Sequence, residues 1–106
     1  MELNELEKLK KYENEDDLRE IVEEIGDKIV FRCYNLEQII NLTTVLVEIN
    51  LISLNYETKE QILNVLCDAA AYYNIRNTIC WENIINIKDE LEDDLKEYVE
   101  ELVSGE

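Results

Sequence analysis

Residues 16–25 read DDLREIVEEI, and residues 93–102 read DDLKEYVEEL. The two decapeptides are identical at seven positions and lie 77 residues apart. The apolar residues of the first follow the i, i+3, i+4, i+7 spacing of an amphipathic α-helix: Leu18, Ile21, Val22 and Ile25. The sequence therefore predicts two helices that carry the same dense acidic surface.

Two further helices are predicted from capping signals between these repeats. Asn35 is followed by Gln38, and Thr58 is followed by Gln61. This spacing is typical of a capping box at a helix N-terminus. The first of the two segments is apolar on most sides, which favours a central, buried position. The predicted helices run over about residues 36–50 and 59–73.

The ends of the chain also have helical periodicity. Leu3, Leu6 and Leu9 predict a short first helix over about residues 2–12. A last helix is predicted from residue 79 or 80 to residue 103, and Gly105 would end it. Its apolar stripe advances in steps of three and four: Ile84, Ile87, Leu91, Leu95, Tyr98 and Leu102.

The stretch after the first decapeptide is the main exception to helical patterning. Gly26 stands where the left-handed residue that follows a helix belongs. Residues 28–34, KIVFRCY, are rich in β-branched and aromatic residues, which favours a short strand or an extended connector. We expect an all-α fold, a compact bundle of four to five helices in one domain over residues 1–106, with a possible two-stranded element near 28–34.

The net charge is strongly negative and unevenly distributed. Twenty-six acids and ten bases give −16. Residues 1–27 carry −7, residues 89–106 carry −8, and the 61 residues between them carry −1. An acidic surface repels nucleic acid and anionic membranes, so we expect neither as a direct ligand. The expected partner is a basic protein, in particular one that normally binds nucleic acid.

The predicted interaction surface consists of carboxylates on the two repeated helices. Their spacing of three, four or seven residues places them in rows, much as a nucleic-acid backbone presents its charges. The same rows also fit solvated helix faces that only keep the protein soluble. The predicted contact residues are Asp16, Asp17, Glu20, Glu23, Glu24, Asp89, Glu90, Asp93, Asp94, Glu97, Glu100 and Glu101.

In composition and size the chain resembles the small acidic inhibitors of phages and mobile elements, such as anti-CRISPR and anti-restriction proteins. That resemblance implies a non-enzymatic inhibitor that occupies the nucleic-acid-binding groove of a bacterial defence protein. An alternative in the binding class is an immunity or antitoxin-type protein that neutralises a basic toxin. The sequence leaves the oligomeric state open.

An enzyme is the other alternative. Asp16, Asp17 and Glu20, and again Asp93, Asp94 and Glu97, resemble acidic Mg²⁺ motifs. They are the basis for a Mg²⁺-dependent all-α nucleotide pyrophosphohydrolase. However, the repeats contain only one base each to hold phosphates, and the chain has no histidine. We therefore assign no catalytic, cofactor or metal-binding residue.

The cysteines and aromatic residues are expected to be structural. Three cysteines without close spacing suggest a reduced, cytosolic compartment rather than a disulfide framework. Cys33 and Cys67 lie in apolar or aromatic surroundings in the sequence and are expected to be buried, whereas Cys80 is expected to be more exposed. The large aromatic residues are expected to pack in the core: Tyr72, Tyr73 and Trp81.

Overall fold

The computed structural model describes residues 4–104, and no strand occurs among them. The prediction of an all-α bundle is therefore confirmed, while Leu3 and Gly105, which were expected near the two helix ends, lie outside the described residues. None of the described helices is both long enough and apolar enough to cross a bilayer. The helices are α1 (Glu5–Lys11), α2 (Glu15–Val30), α3 (Leu36–Glu48), α4 (Tyr56–Tyr72), α5 (Glu82–Ile87) and α6 (Asp93–Ser104).

The helices form three stacked hairpins. α1 packs on α2, α3 on α4, and α5 on α6, and each hairpin contacts the next. Helices α2, α4 and α6 make one layer, whereas α1, α3 and α5 make the other. Stacked hairpins of this kind bury a continuous core between two layers, as helical-repeat proteins do.

The three helices of the first layer run parallel to one another. At their N-terminal ends, the Asn55 N–H of α4's cap donates to the Glu15 carboxylate of α2 at 2.9 Å. At the other end, the Arg32 guanidinium, just beyond α2, lies 5.1 Å from the centre of the Tyr72 ring of α4. Lys59, near the start of α4, binds Glu92, immediately before α6. The layer therefore has one shared N-terminal end and one shared C-terminal end.

α3 is the middle helix of its layer, with α1 and α5 on its two sides and α4 beneath it. It is not buried on most sides, contrary to the prediction for residues 36–50, since it exposes Glu37, Asn41, Thr44 and Glu48 along one face. α4 is the middle helix of the other layer, between α2 and α6. The buried residues of α4 are Thr58, Lys59, Ile62, Leu63, Val65, Leu66, Cys67, Ala69 and Ala70.

Gly26 does not end a helix, contrary to the prediction, and residues 28–34 form no strand. α2 continues through Gly26 to Val30. It ends in a Schellman turn, in which the Cys33 N–H donates to the Lys28 carbonyl at 2.9 Å and Arg32 takes a left-handed φ of 58°. Residues 28–30 are therefore the last turn of α2, and the residues after them are a tight connection to α3.

One predicted capping box is confirmed and the other is wrong. Asn35 and Gln38 exchange both side-chain-to-backbone hydrogen bonds at 2.8 Å. α4, by contrast, begins at Tyr56, before Thr58. Thr58 donates its hydroxyl to Glu15, and the Gln61 amide donates to the Arg19 carbonyl at 3.1 Å. Thr58 and Gln61 therefore bind residues of α2 and do not cap α4, contrary to the prediction from the sequence pattern.

The predicted last helix is broken in two. α5 ends at Ile87, a 3₁₀ turn follows over Lys88–Glu90, and Leu91 is extended with ψ 157°. The apolar stripe could not reveal this break, because Ile84, Leu91 and Leu95 face the same core on both sides of it. The break creates a new helix N-terminus within the acidic run, where carboxylates are favoured by the helix dipole.

Candidate protein-interaction face

α4 lies between the two helices of the repeated decapeptide and carries a third, degenerate copy. Thr58 lies 40 residues after Leu18 and 37 residues before Leu95, which together give the 77-residue spacing of the repeats. The first residue of each copy has no exposed surface. The three copies are Leu18-Arg19-Glu20, Thr58-Lys59-Glu60 and Leu95-Lys96-Glu97.

This third copy is hard to recognise from acidic density. α4 has fewer acids, and threonine replaces leucine at the first position. Each copy is identified by a basic residue followed directly by a glutamate, with a buried β-branched residue two positions after the glutamate. These buried residues are Val22, Ile62 and Val99. Because the helices are equivalent in register and parallel, their outward side chains form one surface.

This surface, the outer acidic face, unites part of the predicted contact set with acids that were not predicted. Asp27, Glu57, Glu60 and Asp68 are the additions. Glu60 and Asp68 are half-buried, and the other members are exposed. Its members are Asp16, Glu20, Glu23 and Asp27 of α2, Glu57, Glu60 and Asp68 of α4, and Asp94, Glu97 and Glu101 of α6.

Between α4 and α6 the face forms an acidic groove. Glu60 lines it on one side, and Asp94, Glu97, Tyr98 and Glu101 line it on the other. The groove continues toward Asp68, where burial and the nearby Glu101 carboxylate raise the pKa of the Asp68 side chain. Burial, and to a lesser degree the Glu101 carboxylate, thus disfavour the ionised form of Asp68.

Tyr56, at the start of α4, lies beside Asp94 near the N-terminal end of this groove. Its hydroxyl donates a hydrogen bond to the Asp94 carboxylate. That bond raises the pKa of Tyr56 to about 12, so the phenol stays protonated at neutral pH. The contact fixes the position of Asp94 relative to α4.

Between α2 and α4, one base lies among the acids. The Arg19 guanidinium is 3.1 Å from Asp16 on its own helix and 3.1 Å from Glu57 on α4. It therefore joins the two helices and neutralises part of the charge at this end. Among residues 4–104, Glu20, Glu23 and Glu97 form no ion pair.

The remaining predicted contact residues lie away from the outer acidic face or at its edges. Glu24 faces α1 and pairs with Lys8 at 3.4 Å and Lys28 at 3.5 Å. On the far side of α6, Asp93 pairs with Lys96 at 3.4 Å and Glu100 with Lys88 at 3.2 Å. Asp17 is half-buried, and Asp89 and Glu90 are exposed in the turn before α6.

The charge density of the outer acidic face approaches that of a nucleic acid. Ten carboxylates, the Arg19 guanidinium and the Arg76 guanidinium, which donates to the Glu101 carbonyl at 3.1 Å, give a net charge of −8 along α2, which has 16 residues. At a rise of ~1.5 Å per residue the face is about 24 Å long. Projected on this length, the charge of all three helices amounts to one net negative charge per ~3 Å, between the ~1.7 Å of duplex DNA and the ~3.4 Å of one strand.

A separate polar cluster anchors α1 and has a structural role. Glu5, only 6% exposed, accepts hydrogen bonds from Lys28 at 3.0 Å and from the Tyr34 hydroxyl. Burial alone would raise the pKa of Glu5, but these two hydrogen bonds outweigh it and hold the pKa below its usual value. The buried carboxylate is thus paired and kept ionised.

The acidic clusters and the cysteines are the remaining candidates for chemistry. Among the described residues, no three acidic or sulfur ligands converge to hold a metal ion. Burial raises the pKa of the Cys67 thiol to about 12, which makes it a poor nucleophile. Cys67 is buried and Cys80 exposed, as predicted, whereas Cys33 is exposed because the turn after α2 projects it outward.

The aromatic residues divide between core and surface. Trp81 is buried and donates its indole N–H to the Arg76 carbonyl at 3.0 Å. Tyr73 is half-buried and donates its hydroxyl to the Tyr34 carbonyl at 2.8 Å. Tyr72 is 40% exposed, so its predicted core position is wrong. It lies at the C-terminal end of α4, where its ring supports Arg32.

Comparisons of the chain with protein-family models, with curated proteins and with solved structures find no match. Functional inference therefore rests on the outer acidic face itself.

Proposed function

We propose that this protein is a non-enzymatic inhibitor that occupies the basic nucleic-acid-binding groove of another protein. The observation that carries the proposal is the outer acidic face, in which three parallel helices present ten carboxylates and far fewer basic groups, namely Arg19 and Arg76. Such a face has the charge density and the length of a short nucleic-acid segment. The favoured targets are bacterial defence proteins, such as a CRISPR effector or a restriction enzyme.

The mechanism would be electrostatic occlusion. The negative potential of the face would steer it toward a groove lined with Lys and Arg and accelerate association. Glu20, Glu60 and Glu97, one on each helix, would then stand in for phosphates. Packed helices hold the backbone of the face in place before binding, so the entropy lost when the complex forms is mainly that of the side chains.

The decisive experiment reverses charge on the face alone. Glu20, Glu60 and Glu97 are changed together to Lys, and DNA cleavage by an RNA-guided nuclease and by a restriction enzyme is measured with increasing inhibitor. We expect the natural protein to block cleavage by at least one of them and the triple variant to lose that activity. Circular dichroism and urea unfolding establish that the variant is folded.

The matched control carries the same change in net charge elsewhere. Glu37, Glu48 and Glu82 are exposed on the second layer, on α3 and α5. Their triple Lys variant also raises the net charge by six, and we expect it to keep inhibiting. Equal loss in both variants would show that overall charge, not the face, is responsible. Absence of inhibition by the natural protein would refute the proposal.

A further inference from the structure

Phe31 is an exposed aromatic residue at the C-terminal end of the outer acidic face. Its side chain is 78% exposed, more than any other large apolar side chain among the described residues. Val30 and Leu36 beside it are 48% and 49% exposed. Leaving a ring of this size in water is unfavourable, and exposed apolar groups that cluster often mark an interaction site.

Phe31 continues the row of carboxylates on α2. It follows Asp27 by four residues, and its N–H donates to the Asp27 carbonyl at 3.2 Å, so it lies one helical turn beyond Asp27 on the same side. Asp27 in turn borders Glu20 and Glu23 on the surface. The outward row of α2 is therefore a line of anionic groups that ends in an aromatic ring.

The turn that carries Phe31 is held in a defined conformation. Arg32 has a left-handed φ of 58°, which is unfavourable for a residue with a side chain, and its guanidinium lies over the Tyr72 ring of α4. The Arg32 N–H donates to the Ile29 carbonyl at 3.0 Å. The ring of Phe31 is thus presented by a rigid turn tied to both α2 and α4.

We propose that the target groove is a site for single-stranded nucleic acid, and that Phe31 takes the place of a base there. This inference rests on the proposed function. Sites for single strands combine cationic side chains along the backbone with aromatic side chains on which bases stack. In a duplex the bases are stacked inside, so a ring at the end of an anionic row has no counterpart.

The test compares two probe proteins of known binding mode. One is an OB-fold domain bound to a fluorescent thymidine oligonucleotide, and the other is a helix-turn-helix domain bound to a fluorescent operator duplex. The concentration of the acidic protein that displaces half of each labelled DNA is measured by fluorescence anisotropy. The protein variants are the natural chain, Phe31→Ser, Ile85→Ser and the triple Lys variant of the face.

Ile85→Ser is the matched control, because Ile85 is 49% exposed but lies on α5 in the second layer. We expect the natural protein to displace the single strand at a concentration roughly tenfold lower than the duplex. Phe31→Ser should raise that concentration by about tenfold for the OB-fold domain only, in line with the loss of one stacked ring. Ile85→Ser should change neither value.

The outcomes separate the two proposals. If Phe31→Ser competes as well as the natural protein while the triple Lys variant does not compete, the face functions without a base surrogate and this inference is wrong. Equal or better displacement of the duplex would also overturn it. If the natural protein displaces neither DNA, this inference is wrong, whereas the proposed function stands or falls with the nuclease assay described above. Unfolding curves for Phe31→Ser verify that its fold is intact.

Discussion

Gly26 of α2 lies so close to Val65 of α4 that a methyl group on Gly26 would stand 3.2 Å from Cγ2 of Val65. This glycine is in the middle of a helix, where it costs ~1 kcal/mol relative to alanine. In return, Gly26 allows α2 and α4, two helices of the outer acidic face, to approach each other closely. The position of α2 relative to α4 therefore depends on the absence of a side chain at residue 26.

Enlarging residue 26 should separate these helices. For Gly26→Ala we expect a change within about 1 kcal/mol, because the gain in helix propensity and the tight contact with Val65 oppose each other. For Gly26→Leu we expect a loss of ~2–3 kcal/mol from overpacking. Urea unfolding measures both, with Thr44→Leu on the exposed side of α3 as the control. A Gly26→Leu variant as stable as the natural protein would contradict the packing described.

Glu15 should contribute a pH-dependent part of the stability. Hydrogen bonds from the Thr58 hydroxyl and the Asn55 N–H hold the pKa of Glu15 below its ordinary value of 4.5. A lowered pKa in the folded state means that the stabilisation is present above pH 4.5 and is lost as the pH falls through the folded-state pKa. We expect Glu15→Gln to be less stable than the natural protein at pH 7, with the difference closing as the pH falls through the lowered folded-state pKa of Glu15.

Urea unfolding at several pH values tests this prediction. Glu13→Gln is the control, since Glu13 is exposed and lies two residues before Glu15. A stability difference for Glu15→Gln that stays constant from neutral to acid pH would show that the carboxylate does not hold the start of α4.

Lys59 should link α4 to the start of α6. Its side chain is 10% exposed, and its ammonium lies 2.9 Å from the Glu92 carboxylate, which is 43% exposed. Because Glu92 keeps part of its hydration, we expect Lys59→Met to cost only about 1 kcal/mol, between the values for exposed and buried pairs. Lys96→Met, which removes an exposed pair with Asp93, should cost less.

The effect of Lys59→Met on the pKa of Glu92 can be measured by NMR. The hydrogen bond from Lys59 lowers the pKa of Glu92 in the folded protein. NMR titration of the side-chain carboxyl carbons should therefore show a higher Glu92 pKa in Lys59→Met than in the natural protein. An unchanged Glu92 pKa would mean that Lys59 and Glu92 do not interact in solution.

The stability of the folded protein should differ between the Arg32→Gly and Arg32→Ala variants. Both changes remove the contact with the Tyr72 ring, worth ~0.5–1 kcal/mol at an exposed site. Only glycine relieves the left-handed φ of 58°. We therefore expect Arg32→Gly to be more stable than Arg32→Ala by about 1 kcal/mol in urea unfolding. The reverse order would show that the turn after α2 has another conformation.

Inhibition by the outer acidic face should depend strongly on salt. Exposed charges are screened beyond about 8 Å at physiological ionic strength. We expect the concentration for half-inhibition of a susceptible nuclease to rise steeply between about 0.05 and 0.2 M salt, both for the natural protein and for the control variant with Lys at residues 37, 48 and 82. A salt-independent inhibition would point to an apolar contact instead of charge.

Local patterns in the sequence predicted much of this fold. The spacing of Leu18, Val22 and Ile25 set the core face of α2, and Asn35 with Gln38 set the start of α3. These features depend on residues within one or two helical turns. The predictions that failed concern residues whose conformation depends on a contact with a residue far away in the sequence. Examples are Gly26, which packs against Val65, and Thr58, which binds Glu15.

The sequence by itself determined that the protein is helical, that its ends are acidic and that two helices repeat one pattern, because periodicity and charge are local properties of the chain. Only the tertiary structure decided that α4 lies between those helices and that their carboxylates share a face with Glu57, Glu60 and Asp68. The reason is that helices 40 and 37 residues apart meet through packing of their buried sides, and no local pattern encodes which helix becomes the neighbour of which.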